Sequence, residues 1–412
     1  MLKKIIRTKN LLIILLIFTA ITRLYNLNYP NTYIFDEVYH GFTAKEYLKG
    51  NKEAWSPWGK SEPGVAFEWL HPPISKEIMT ASMFVLGSTD AWAWRLPGIL
   101  LGVLSVFLVY KLGLLLFKKE SAALISAFVF SIDGLNFVQS RTGMNDAYLV
   151  AFVLTSIIFF LKEKYILSAL FMGAALATKW PGIFLALIYF PILWSQRSFK
   201  RLSYFILIPL IIYLLSYLPY FLIGYGWTDF VELHQQIWWY QTNLKATHDY
   251  ASPWWSWPLN LYPVWYFVDY QKDKIANIFA SGNPLVFWFG TLAIILTAWE
   301  VIKGFILNSS REVTQNLLII LAGFFIFWLP WAVSPRIMFL YHFSPAVPFL
   351  SLALGYQLNQ LSKIKNGTTL VIIALLLMII SFLFLYPFLT GIPLPKDLAN
   401  LFFLTNLSKN PF

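Results

Sequence analysis

Two adjacent carboxylates, Asp36 and Glu37, stand in a stretch from Tyr33 to Lys76 that also carries His40, His71 and Lys76. It runs YIFDEVYHGFTAKEYLKG, passes a Trp-rich turn, WSPWG, and closes on FEWLHPPISK. A carboxylate can take the proton of an acceptor hydroxyl while basic groups hold a departing phosphate in a site closed to water. Either Asp36 or Glu37 could be that base, and Arg141, Lys179 and Arg336 could hold the phosphate, the planar arginine fork being suited to bidentate contact. The same three cations could instead snorkel from span ends to the interface. Asn145 and Asp146 fit the cap of a following helix. His71 precedes Pro72 and Pro73, whose fixed backbone would aim it and Lys76 in an orienting or a structural role. The five histidines and nearby carboxylates could in principle bind a divalent ion. No HExxH spacing occurs, so the sequence requires no metal.

The chain that must position these groups has 412 residues, 58% hydrophobic, 19% aromatic and 12% charged. Soluble domains carry about 25% charged residues, so this is a polytopic membrane protein. Its apolar runs have the length of helical spans, and the short alternating segments of a β-barrel are absent. No basic cluster interrupts a soluble fold, so the net charge of +11 marks topology rather than nucleic-acid binding. Without cysteine there is neither a disulfide framework nor a thiolate site. MLKKIIRTKN and the apolar run after it look like a signal peptide without a convincing cleavage site, and are taken as a retained first span.

The expected architecture is an all-α bundle of about eleven membrane helices forming one domain over 1–412. Spans fall at 11–26, 95–117, 121–139, 145–161, 165–178, 182–195, 202–223, 283–302, 315–333, 338–358 and 368–388. The pair at 165–195, broken at KWPG, is short for two crossings and is open to a re-entrant reading. Segment 74–87 is too short to cross and is read as an interfacial helix within the first outer loop, 27–93. A second outer loop, 224–282, is rich in Trp and Tyr, which suit both an interfacial belt and stacking on sugar.

Basic residues cluster at alternate ends: Lys3, Lys4, Arg7 and Lys9; Lys111, Lys118 and Lys119; Lys162 and Lys164; Arg197, Lys200 and Arg201; Lys303 and Arg311; Lys363 and Lys365. By the positive-inside rule these ends and the N-terminus are cytoplasmic. Both long loops, all five histidines (His40, His71, His234, His248 and His342), Arg95, and the exceptional Arg141, Lys179 and Arg336 then face the other side. An outward site at the membrane surface follows. Sugar nucleotides are not expected there, so a transferred group would arrive activated on a lipid.

In order along most of the chain stand FDEVYHGFTAKEYLKG, HPPISK, RLPG at Arg95, SIDGLNFVQSRTGMNDAYL, ATKWPGIF, LKATHDYASPWWSWP, SGNPLVFW and RIMFLYHFSPAVPF. Together these blocks resemble the polyprenyl-phosphate-mannose protein O-mannosyltransferases in their compact bacterial form. The resemblance implies a GT-C membrane glycosyltransferase with an outward active site that moves mannose, with inversion, from the lipid carrier to Ser or Thr hydroxyls. It places the acidic pair on Asp36 and Glu37 as catalytic, with Asp36 as the base. It assigns an essential arginine to Arg95, and Arg336 and His342 to the donor phosphate. Arg141, Lys179, His71 and His248 complete the expected substrate-binding set. Gln241 stands where relatives often have His, which bears on acceptor choice. The expected partners are a polyprenyl-phosphate-sugar, a secreted or membrane protein acceptor and the bilayer. Two other readings stay in play: the same fold glycosylating a lipid, and a transporter of lipid-linked sugar, which would need charges at the bilayer midplane.

Overall fold

The computed structural model describes residues 2–307 and 310–404; the side chains of residues 1–7, and with them Lys3, Lys4 and Arg7, lie outside the described residues, as do residues 405–412 of the chain's tail. The chain is mostly helical. Helix α1 covers Leu2–Leu24, α2 His40–Leu48, α3 Ile74–Leu86 and α4 Ala91–Phe117. Then follow α5 Glu120–Ser131, α6 Gly134–Arg141, α7 Asp146–Leu161, α8 Tyr165–Leu176, α9 Ala186–Ser195 and α10 Phe199–Ser216. Beyond α11 (Leu218–Leu222) come α12 Trp227–Asn243, α13 Pro284–Ile306, α14 Arg311–Trp328, α15 Val347–Leu361 and α16 Gly367–Thr390. Among the described residues five helices are long and apolar enough to cross a membrane, and a sixth crossing results if α5 and α6 form one bent span. Their outer faces carry exposed Leu and Ile, such as Leu207, Leu210, Ile295 and Ile380, as lipid contact demands.

Small residues and paired hydroxyls hold the bundle. A Cβ on Gly98 or Gly102 of α4 would come within 2.8 and 2.6 Å of Ser140 on α6, so these glycines set that close approach. Between α7 and α8, Ser156 and Ser168 each donate to the other's carbonyl at 2.8 Å. Pro97 inside α4 leaves the Ala93 carbonyl without its helical donor, and the Ser82 hydroxyl on α3 supplies one at 2.7 Å. That bond fastens α3, which buries Met79 and Met83 and exposes Phe84 and Val85, to the first long helix.

Four expectations change. The span at 121–139 is bent by 61° between α5 and α6, because Asp133 accepts from the Leu135 and Asn136 N–H groups and starts a new helix. The span at 202–223 divides at Tyr217, before Pro219, and the one at 338–358 begins as a 3-10 turn, Leu340–Ala346, with α15 starting only at Val347. The chain is not all-α: β1 (Val264–Tyr270) and β2 (Lys274–Ala280) form an antiparallel hairpin, and β3 (Leu394–Pro395) pairs with β2. The physical cause is the β-branched and aromatic content of VWYFVDY and KIANIFA around the polar turn 271–273. The second long loop also contains α12, whose Phe230, Leu233 and Ile237 are buried.

Candidate active site

The 3-10 turn Phe35–Val38 carries the acidic pair. Phe35 has φ 45°, a left-handed conformation strained for a bulky residue, and its ring stacks on Tyr266 of β1 at 4.1 Å. The two carboxylates that follow have separate fates. Glu37 is fully buried and accepts from the Arg95 Nε (2.7 Å) and Nη2 (2.6 Å), the Trp94 indole (3.2 Å), the Gly143 N–H (2.8 Å) and the Ile34 N–H (3.1 Å). Arg95 places its remaining donors on the carbonyls of Leu27, Pro30 and Thr32 at 2.9–3.0 Å, which satisfies the whole guanidinium. This pair therefore ties the first loop to α4.

Asp36 instead opens into a cavity of about 530 Å³, and among the described residues its carboxylate has no hydrogen-bond donor. The wall also includes His40, Glu68 and His71 of the first loop, Asn145 and Asp146 at the start of α7, Lys179, Tyr240 of α12, His248, Arg336, Tyr341 and His342. Loss of hydration pushes the Asp36 carboxyl up to about 7; the negative charge of Glu68 adds to this, and Lys179 and Arg336 oppose it.

Two cationic groups line this cavity. The Lys179 ammonium lies 3.0 Å from Asp146 Oδ1 and 5.5 Å from the Tyr341 ring centroid. Arg336 donates to the Gln241 side chain and lies over Tyr240 at 5.9 Å. Among the described residues its Nε is buried without a hydrogen-bond partner. His342 is fixed by Nδ1, 3.0 Å from the Phe339 carbonyl, and by the Trp331 ring. Asn145 and Asp146 do not cap α7 with their side chains. Asn145 accepts from Ser75 at 2.5 Å and Asp146 pairs with Lys179, so contacts between elements displace local capping.

The same cavity wall holds a group the sequence reading passed over. Glu68 is 5% exposed, accepts from the His71 N–H at 2.8 Å and has Oε2 3.7 Å from His40 Nδ1. Burial raises its carboxyl above the ordinary range and lowers both histidines well below theirs. Lys76, lowered to about 8 by burial, donates to the carbonyls of His71 and Pro72 and fixes the HPP turn. The available signal was an acid inside an otherwise apolar run, FEWL.

The structure thus brings Asp36, His71, Lys179, His248, Arg336 and His342 to one cavity. It does not bring Glu37, Arg95 or Arg141 there. Glu37 and Arg95 are committed to each other, outside the wall of this cavity. Arg141 is buried elsewhere, donating to the Thr22 carbonyl at 3.3 Å and packing over Phe137. Among the described residues no group of three or more His, Asp or Glu side chains is disposed to hold a metal ion. The arrangement can take a proton at Asp36 and neutralise an anion at Lys179 and Arg336.

Residues 13–225 match the family described as dolichyl-phosphate-mannose-protein mannosyltransferase, and 226–406 match the C-terminal four-helix region of protein O-mannosyltransferase. A polyprenol-phosphate-mannose–protein mannosyltransferase of Mycolicibacterium smegmatis is 24% identical, over 93% of this chain and 89% of the relative. That of Mycobacterium tuberculosis is 25% identical over the same shares. Among solved structures, a chain of the Saccharomyces cerevisiae protein O-mannosyltransferase complex bound to its sugar donor superposes with a TM-score of 0.82 at 17% identity, covering 98% of this chain and 94% of that one. ArnT of Cupriavidus metallidurans bound to undecaprenyl phosphate gives 0.59 at 14%, covering 89% and 62%. At such identities these structures speak for the fold, that of a polytopic membrane protein.

Proposed function

The chain belongs to the dolichyl-phosphate-mannose-protein mannosyltransferase family, and on that premise we propose that it transfers mannose from a polyprenyl-phosphate donor to Ser or Thr hydroxyls of proteins, at the extracytoplasmic surface of the membrane. One observation carries the site assignment: Asp36, whose carboxylate has no hydrogen-bond donor among the described residues, shares a cavity with Lys179 and Arg336. In this reading Asp36 takes the proton of the acceptor hydroxyl as its oxygen attacks the anomeric carbon. The bond from that carbon to the phosphate oxygen breaks on the opposite face, and its electron pair leaves with the phosphate. Attack from the far side inverts the anomeric centre. Lys179, held by Asp146, and Arg336, held by Gln241, stabilise the charge on the departing phosphate, with His342 on the same wall. Glu37 and Arg95 keep the catalytic turn in place, and His71 and His248 border the acceptor side. The outward orientation rests on the distribution of basic residues, which also supports about eleven crossings with the N-terminus inside.

No step is routed through a metal, and EDTA treatment is expected to leave transfer intact. The deciding assay offers radiolabelled polyprenyl-phosphate-mannose and a Ser/Thr-rich peptide to purified protein in liposomes. Label in the peptide supports the proposal. Label confined to a new lipid product, or moved across the membrane without transfer, overturns it.

A further inference from the structure

Lys179 and Arg336 come from distant parts of the chain, yet one helix touches the supports of both. On α12, His234 Nδ1 lies 2.8 Å from the Phe230 carbonyl oxygen. A carbonyl only accepts, so Nδ1 carries the ring proton and Nε2 is left as an acceptor. The Tyr213 hydroxyl on α10 donates to Nε2 over 2.8 Å, and its oxygen accepts from the Trp180 indole at 3.1 Å. Trp180 follows Lys179 directly and opens the 3-10 turn Trp180–Leu185. A ring contact of 6.5 Å between Trp238 and Trp180 joins the same two elements a second time. Seven residues beyond His234, Gln241 accepts from Arg336. Seven residues are about 10 Å of helix.

We propose that α12 is a spacer that sets the separation of the two phosphate-holding cations, with His234 and Tyr213 as positioning residues for Lys179 and Gln241 as the positioning residue for Arg336. None of the three reacts. Each acts through the neighbour it orients, and the common helix makes the two supports one rigid unit. Phe230, Leu233 and Ile237 give that unit a buried face, so α12 cannot slide without unpacking it. The inference rests on the cationic roles proposed above and specifies what holds those cations in register.

The test uses full-length protein in liposomes, with kcat and donor KM measured for Lys179→Ala, Tyr213→Phe, His234→Leu, His234→Gln, Gln241→Leu, and Lys179→Ala combined with Tyr213→Phe. Tyr213→Phe and His234→Leu should raise donor KM about tenfold, a modest share of what a misplacement of about 1 Å can cost. His234→Gln, whose carbonyl can stand near the lost Nε2, should restore most of it. The double variant should be no worse than Lys179→Ala alone, because a residue acting through another loses its effect when that other is gone. Gln241→Leu gives an independent arm that leaves the Tyr213 packing untouched and should also raise donor KM. Additive losses in the double variant, or an unchanged donor KM in both His234→Leu and Gln241→Leu while Lys179→Ala is impaired, overturn the spacer alone. An unimpaired Lys179→Ala overturns the cationic role of Lys179, and the spacer with it.

Discussion

Asp36 and Glu37 are neighbours in one 3-10 turn, yet Glu37 is sealed with Arg95 at 2.6 Å while Asp36 faces the cavity. The strained backbone at Phe35, held by the stack on Tyr266, turns the chain so that consecutive carboxylates diverge. One acid builds the loop and the other lines the cavity.

Replacing Asp36 by Asn should lower kcat by about 10³, within the range for a lost general base, while donor KM stays within about twofold. Steady-state kinetics in liposomes check this; near-normal turnover would remove Asp36 from the chemistry.

The base must be ionised, and burial holds Asp36 near 7. Below that pH kcat/KM should fall about tenfold per unit, as for loss of one required ionised group. Facing Asp36 are Glu68, His40 and His71 from the first loop, Asp146 from α7, Lys179, Tyr240 from α12, and Arg336, Tyr341 and His342. Glu68 is the strongest of the charges that raise it, so Glu68→Gln should move the acid limb to lower pH. A profile that stays in place, or moves upward, would show that the two carboxylates do not interact.

Arg336→Lys keeps the charge and loses the fork that reaches Gln241 and, in the proposed mechanism, would also hold the donor phosphate. Donor KM should rise about tenfold, the equivalent of about 1.4 kcal/mol. Titration with polyprenyl phosphate as a competitive inhibitor should show the same loss.

Glu37→Gln leaves a buried guanidinium without its counter-charge. Breaking such a pair costs about 3–5 kcal/mol, so the variant should melt well below the parent. Thermal unfolding in detergent, followed by intrinsic fluorescence, distinguishes this from a purely catalytic defect, in which melting would be unchanged.

The apolar runs and scarce charges made the helices and much of the cavity legible in the sequence. Asp36, Lys179 and Arg336 stand out because an ionisable group near lipid is costly unless something holds it there. Contacts between elements were not legible. Nothing local to Arg95 announces three carbonyl partners in the first loop, and Asn145 and Asp146 look like caps until Ser75 and Lys179 claim them. The hairpin was hidden because the aromatic residues that favour a strand also favour a membrane interface. The Asp133–Gly134 break carried a helix-start signature inside a run whose hydrophobicity alone suggested one continuous span.

Asp36 precedes α4, Lys179 follows α8, Tyr240 lies near the end of α12, and Arg336 follows α14, yet all four line one cavity. Beyond α16, β3 pairs with β2, which precedes α13. Side chains that meet at one mouth lie on one side of the bilayer, so the polypeptide must thread the membrane an even number of times between each of these points and the next. The eleven crossings proposed keep that parity. An insertion defect that dropped a single crossing between Asp36 and Arg336 would leave the base and that arginine in separate compartments.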